Sequence, residues 1–484
     1  MMSVLENLEP KLVFKYFEEI SQIPRGSGNE KQISDYLVSF AKNLGLEVIQ
    51  DEALNIVIKK PATKGYENAP GVIIQGHMDM VCEKNKDTEH DFTKDPIKLR
   101  IDGDNIYATG TTLGADNGIA VAYGMAILAD DTIEHPSLEL LLTTDEETGM
   151  TGAMNISPEH IDGKILLNLD SEEEGEILVS CAGGVRTNAS MTINWEEVLE
   201  NHVGLEIKIR GLKGGHSGQE ITKGRGNSNK LMARLLKNLS EKFDIRLVQI
   251  EGGSKDNAIP READAILTVN KTELEEVKNT IKEFEEMFRH ELRIQDPGIT
   301  IEAIDYEGVN KIFDKKCTEN IINLLYIYPN GINTMSKEIH GLPESSTNIG
   351  VVMTEGDKVI FKSAVRSSVA TLKDEIVLRS KTMTEMLGGG FETVAPYPAW
   401  EYNSESKIRE ICIDVYKKMY NEEPKIIAIH AGVECGLFKE RLGDIDMISF
   451  GPNLYDVHTP DEHMSIKSVQ HVWDYLLNIL KAIK

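Results

Sequence analysis

His77 and Asp79 stand one residue apart at the end of the apolar run Val72-Ile73-Ile74. On an extended chain residues i and i+2 point the same way, so a cation-binding imidazole there has a carboxylate beside it to fix its ring. The pattern recurs along the chain. Asp116, within Gly114-Ala115-Asp116-Asn117-Gly118, opens an apolar stretch of helical length from Ile119 to Leu128. Asp145, Glu146 and Glu147 follow the strand-like run Leu138 to Thr144, and Asp170 ends Ile165 to Leu169. His458 follows Met447 to Phe450 and a Gly-Pro-Asn turn. Open α/β sheets bind ligands beyond the carboxyl ends of their strands, so these stations are expected to converge in one crevice. Each acid run alone reads as a solvated loop; together they point to a divalent-metal site. Two imidazoles, several carboxylates and no clustered thiols suit zinc, manganese or cobalt, and the mixed N/O set argues against calcium. The set is larger than one open tetrahedral zinc needs and is enough for two ions that share a carboxylate.

Elements of two kinds must position these groups. The chain has 484 residues, more than a single core supports, so two domains are expected. Its ends carry the apolar runs of an α/β sheet. The middle, after Cys181 to Arg186, shifts to alternating strands such as Leu205 to Arg210 and a charged helix near Glu273 to Glu291, a mixture of α+β type. A further strand pattern lies around Val359 to Arg366, and Gly388-Gly389-Gly390-Phe391 with Val394 to Trp400 reads as a linker. The expected organisation is a discontinuous domain of residues 1–186 and 396–484, with a lid domain of residues 187–395 inserted in it. The return of the C-terminal segment brings His458 to the other ligands. The lid has roughly twice the length of a βαββαβ unit of about 90 residues, which hints at an internal duplication without a visible sequence repeat.

Composition excludes several functions. A net charge of −27 argues against nucleic acid and anionic membrane surfaces, although the field of a dication site can invert the local sign. The opening Met1 to Glu9 is acidic rather than a basic-plus-apolar leader, and no run approaches the ~20 apolar residues of a membrane span, so a cytoplasmic location is expected. The five cysteines, 82, 181, 317, 412 and 435, are scattered and suit reduced thiols. Cys82 and Cys435 lie near the motifs, where a small buried hydrophobe is the simpler reading.

With Ile23 to Glu30 near the start and His430 to Gly436 near the end, these motifs resemble the dinuclear zinc exopeptidases that include carnosinase, aminoacylase and carboxypeptidase G, and within them the Xaa-His dipeptidase branch. The resemblance covers essentially the whole chain. It implies an α/β zinc-exopeptidase-like catalytic domain with an inserted α+β lid domain, and two divalent ions, with zinc the first choice. It assigns His77 and Asp170 to one metal, Glu147 and His458 to the other, and Asp116 to the bridge. It makes Glu146 the general base and Asp79 the residue that orients His77, and it places a cis peptide after Asp116. Spacing alone leaves open which glutamate of the pair binds metal.

In the lid, the glycines of Gly211 to Gly218 let backbone approach a ligand, and a histidine on such a turn can donate to an oxyanion. By resemblance, His216 reaches the substrate carbonyl, while Asn257 and Arg366 anchor the substrate. A guanidinium fork suits a free C-terminal carboxylate. His430 and Glu434 are further candidates for contact with the substrate side chain. The expected activity is hydrolysis of dipeptides, preferentially Xaa-His and including β-alanyl-histidine. The alternatives are a broader dipeptidase or aminoacylase on the same site, or a metal-binding module without catalysis. Glu146 beside Glu147 disfavours the last, since a pure metal binder needs no base. A duplicated lid would let one lobe stand in for a partner's contribution, so that a monomer suffices; the base rate for symmetric dimers favours a homodimer through the lid.

Overall fold

The computed structural model describes residues 4–484, so the first three residues of the acidic opening lie outside it. The chain divides into two compact units. The first comprises residues 4–180, Tyr402–Ala428 and Val433–Lys484; the second comprises Cys181–Glu401 and Ile429–Gly432.

The first unit is built on an eight-stranded sheet. In spatial order its strands are Glu47–Gln50, Ile56–Lys60, Leu138–Thr143, Val72–His77, Ile165–Asn168, Asp446–Ser449, Glu176–Cys181 and Lys425–Ile429. The four central strands run parallel to one another, whereas Ile56–Lys60 and Glu176–Cys181 pair antiparallel beside them. Every residue of Val72–His77, Leu138–Thr143 and Ile165–Asn168 is buried, which explains why these runs are continuously apolar rather than alternating. The helix Ala115–Ala129 is also apolar all round and buried from Ala115 to Leu128. It packs tightly on Val72–His77: a Cβ on Gly76 would meet Asn117 Oδ1 and Ala120 Cβ at 2.4 and 2.5 Å.

The second unit carries a sheet with the main order Thr300–Tyr306, His202–Arg210, Ala263–Asn270, Arg246–Gly252, Pro343–Glu355, Lys358–Ser367, Gly183–Thr192 and Gly390–Tyr397. One βαββαβ succession runs from His202–Arg210 through the helices Ser228–Lys242 and Leu274–Glu291 to Thr300–Tyr306. A second begins with Gly183–Thr192, resumes at the helix Lys315–Ile327 and ends with the helix Ala370–Met386 and the strand Gly390–Tyr397. The first succession thus sits in the chain inside the second. Numbering the strands within each succession, the spatial order is 4-1-3-2 followed by 2-3-1-4. Leu274–Glu291 buries Val277, Thr280, Ile281, Phe284 and Phe288, the helical spacing that gives it one apolar face on this sheet.

The stretch expected to be a linker is a strand. Gly390–Tyr397 pairs antiparallel with Gly183–Thr192 at the sheet edge, and its register shifts between Val394 and Tyr397, where Pro396 falls. An edge or a bulge is where a strand tolerates proline, because no ladder donor is then missed. Residues 187 and 395 therefore lie inside paired strands, and the units divide outside them, after residues 180 and 401.

Candidate functional site

The parallel strands of the first unit end together, and their ends carry His77, Thr143 and Asn168. Asn117 braces this region: its Oδ1 accepts from the His77 amide at 3.2 Å and its Nδ2 donates to the Leu169 carbonyl at 2.8 Å. The peptide between Asp116 and Asn117 is cis, as the resemblance implied.

Asp116 faces two imidazoles, one with each oxygen. Its Oδ1 lies 3.1 Å from His77 Nε2 and its Oδ2 lies 3.1 Å from His458 Nε2. His77 Nε2 is also 3.3 Å from Asp170 Oδ1, and His458 Nε2 is 3.0 Å from Glu147 Oε2. The chain therefore assembles two groups able to hold a cation, His77–Asp116–Asp170 and Asp116–Glu147–His458, which share Asp116. The donor atoms in each group lie within 4.8 Å of one another.

Asp79 is fully buried beside His77. It accepts from Ser27 Oγ at 2.7 Å and from the amides of Glu146 and Glu147 at 3.1 and 3.3 Å. The same carboxylate therefore sets the backbone that presents the glutamate pair. Glu434 is buried as well, and its Oε2 accepts from Gln75 Nε2 and Thr143 Oγ1, both at 2.8 Å. It lies among side chains of the sheet, and His430 belongs to the second unit.

The electrostatics of the cluster fit dications. Burial, with Asp170, Glu434 and Glu147 nearby, pushes the Glu146 carboxyl up to about 9. Burial likewise raises Asp170 to about 6 and Glu172 to about 7. Hydrogen bonds to Asp116 and Glu147 push His458 up to about 10. Carboxyls that resist ionisation and imidazoles that retain protons are signs of uncompensated negative charge. In addition, Glu147 Oε1 is buried without a hydrogen-bond partner. A metal cation supplies what both observations lack.

In the second unit, the short strands Gly215–His216 and Ala258–Ile259 pair with His216 opposite Ala258, which brings Asn257 beside the His216 turn. Both line an open cleft of about 1200 Å³. His216 Nδ1 accepts from the amides of Gly218 and Gln219 at 3.3 and 3.1 Å, so the neutral ring carries its proton on Nε2. That nitrogen lies 3.4 Å from Arg366 Nη2, and two donors so close call for a shared acceptor. Burial and the Arg366 charge lower the His216 pKa. Arg366 is held by Tyr397, whose Oη accepts from Nη1 at 2.8 Å, while Arg366 Nε is buried without a partner. His430 Nε2 lies 2.6 Å from Ser346 Oγ, and burial, with the charge of Arg366, drives its pKa down to about 4.

Sequence reasoning passed over Ser27, Gln75, Thr143, Ser346 and Tyr397. Ser27 and Thr143 stood within quoted motifs without being singled out; Tyr397 was hidden in the stretch read as a linker. Cys435 is buried, whereas Cys82 is exposed.

The model of peptidase family M20/M25/M40 matches residues 73–482. The cytosol non-specific dipeptidase of Escherichia coli (strain K12) is 40% identical over 482 residues, covering 100% of this chain and 99% of that protein. The crystal structure of the aminoacylhistidine dipeptidase from Vibrio alginolyticus superposes with a TM-score of 0.97 at 40% identity, covering 100% and 99% of the two chains. A tripeptidase from Staphylococcus aureus shares the fold at a TM-score of 0.56 and 17% identity, over 98% and 99% of the chains.

Proposed function

The chain belongs to peptidase family M20/M25/M40, and on that ground we propose that it is a cytosolic metallodipeptidase that prefers Xaa-His substrates, β-alanyl-histidine included. The observation that carries the reading is the pair of ligand groups sharing Asp116, with Glu146 next in sequence to a member of one group. The discontinuous first unit serves as the catalytic domain and the second as an inserted lid, its repeated βαββαβ order reflecting an internal duplication. The names of the Escherichia coli and Vibrio relatives support dipeptide substrates and the cytosol. No helix among the described residues is long and apolar enough to cross a membrane.

His77, Asp116 and Asp170 would hold one divalent cation, and Asp116, Glu147 and His458 a second. When bound, such ions acidify water and polarise the scissile carbonyl; zinc is the first choice, manganese and cobalt the alternatives. The protein's own groups do the rest. Glu146 accepts the proton of the attacking water and delivers it to the leaving amine. His216 donates from Nε2 to the carbonyl oxygen as it gains charge, and its turn holds the proton on that atom. Arg366, steadied by Tyr397, takes the substrate's terminal carboxylate, with Asn257 beside the His216 turn as a second anchor. His430 and Glu434 contribute to the choice of substrate side chain, Glu434 from its buried position through Gln75 and Thr143.

The name of the Escherichia coli relative favours one second reading, a dipeptidase of broad specificity. Hydrolysis of carnosine, Gly-His, Ala-Ala and N-acetyl amino acids, each with added zinc, manganese or cobalt, separates the two. Faster turnover of the His dipeptides supports the proposal. Equal rates on Ala-Ala support the broad reading, and activity confined to N-acetyl amino acids contradicts both. A homodimer through the lid is the proposed assembly.

A further inference from the structure

Glu462 lies four residues beyond His458 and has 2% of its surface exposed. Its carboxylate accepts four consecutive backbone amides from the segment that carries Asp116. Oε2 receives Leu113 and Gly114 at 2.6 and 2.9 Å, and Oε1 receives Ala115 and Asp116 at 2.8 and 3.3 Å. Arg25, also 2% exposed, grips the same segment from its other side. Its Nη2 donates to the Gly114 carbonyl at 2.5 Å, and its Nη1 donates to the carbonyls of Met78 and Asp79 at 3.0 and 3.2 Å. The Gly114 residue is thus fixed through its N–H by one charge and through its C=O by the opposite one. Glycine is required there: φ is +69°, and a Cβ would come within 2.6 Å of Arg25 Nη2.

We propose that Glu462 and Arg25 are positioning residues that lock the His77, Asp116 and His458 segments into one frame, so that Asp116 aims one oxygen at each histidine. Neither side chain is a ligand. Glu462 joins the His458 loop to the Asp116 segment, and Arg25 joins the Asp116 segment to the end of the His77 strand. A carboxylate suits the first task because it offers two oxygens to four donors, whereas an amide would turn an N–H₂ group toward two of them. A planar guanidinium suits the second because its separate N–H groups reach three carbonyls, which a single ammonium matches poorly. Outer partners of this kind typically govern metal affinity by about 10–100-fold.

The inference rests on the proposed metal site, and the test keeps the two apart. Zinc affinity of the full-length wild type, Glu462→Gln, Glu462→Ala and Arg25→Lys is measured by competition with a chromogenic chelator, alongside thermal unfolding of the metal-stripped proteins and kinetics against zinc concentration. The expected result is zinc binding weaker by about 10–100-fold in Glu462→Gln and Arg25→Lys. In both, kcat should recover at saturating zinc and KM for the dipeptide should stay unchanged. Should Glu462→Ala fail to fold, the two conservative variants carry the test. Wild-type zinc affinity in those variants, with only a lower unfolding temperature, means a purely structural role and overturns the inference while leaving the metal site standing. A wild type that binds fewer than two zinc ions overturns both.

Discussion

His77 Nδ1 lies 3.3 Å from Asp79 Oδ1, a close ionic contact that turns the opposite ring nitrogen, Nε2, toward Asp116 and Asp170. Because Asp79 also accepts the amides of Glu146 and Glu147, it links the orientation of His77 to the placement of the glutamate pair. Asp79→Asn keeps the shape but removes the charge and places an N–H₂ group toward either the imidazole or an amide. Turnover should fall by about 10–100-fold with metal affinity reduced over the same range. Kinetics together with chelator competition check this, and a variant with unchanged affinity and turnover contradicts it.

The adjacent glutamates should separate cleanly. Glu146→Gln retains volume and metal content but lowers kcat by at least about 10²–10⁴-fold, the usual worth of a general base. Glu147→Gln should instead lose metal, since Glu147 Oε2 contacts His458 Nε2. Elemental analysis beside steady-state kinetics reads both. The reverse pattern would mean that the roles are exchanged.

On the proposed reading, the His216 and Arg366 donors would act on different parts of the substrate. His216→Ala should reduce kcat by about 10²–10³-fold at normal metal content, the cost of one lost oxyanion donor. Arg366→Ala should raise KM and abolish discrimination between a dipeptide and its C-terminal amide. An Arg366 variant that still prefers the free acid would sink the carboxylate role.

His430 gives the second unit a pH dependence with a definite sign. Its pKa is about 4 in the folded chain against an ordinary value near 6.5, because burial and the Arg366 charge oppose protonation. The unfolded chain therefore binds the extra proton first as pH falls. The contribution is fully present above about pH 6.5 and is lost progressively toward pH 4, by up to about 3 kcal/mol. Thermal unfolding of wild type and His430→Gln across this range should show a steeper acid loss in the wild type. Parallel curves would contradict it.

The parallel strands were legible because burial on both faces makes their sequence continuously apolar, and the expected ligands fall just beyond those runs. The supports were less so. Glu462 meets Leu113 across 349 residues of sequence, and an acidic residue in a loop gives no periodic signal that it will be buried. Gly390–Tyr397 was misread for the opposite reason. As an edge strand most of its residues are exposed, so it lacks alternating burial, and its glycine and proline resemble those of a linker. Tyr397, the partner of Arg366, was lost with it.

Metal stoichiometry tests the central claim, that two cations share Asp116. Elemental analysis of wild type, His77→Ala, His458→Ala and Asp116→Ala after equilibration at a buffered free-zinc concentration that just saturates the wild type should give two ions per wild-type chain. Each histidine variant should mainly weaken one ion, and Asp116→Ala should loosen both and abolish activity, because a shared Asp116 would serve two ions and each histidine one. Two ions retained by Asp116→Ala would contradict the shared bridge.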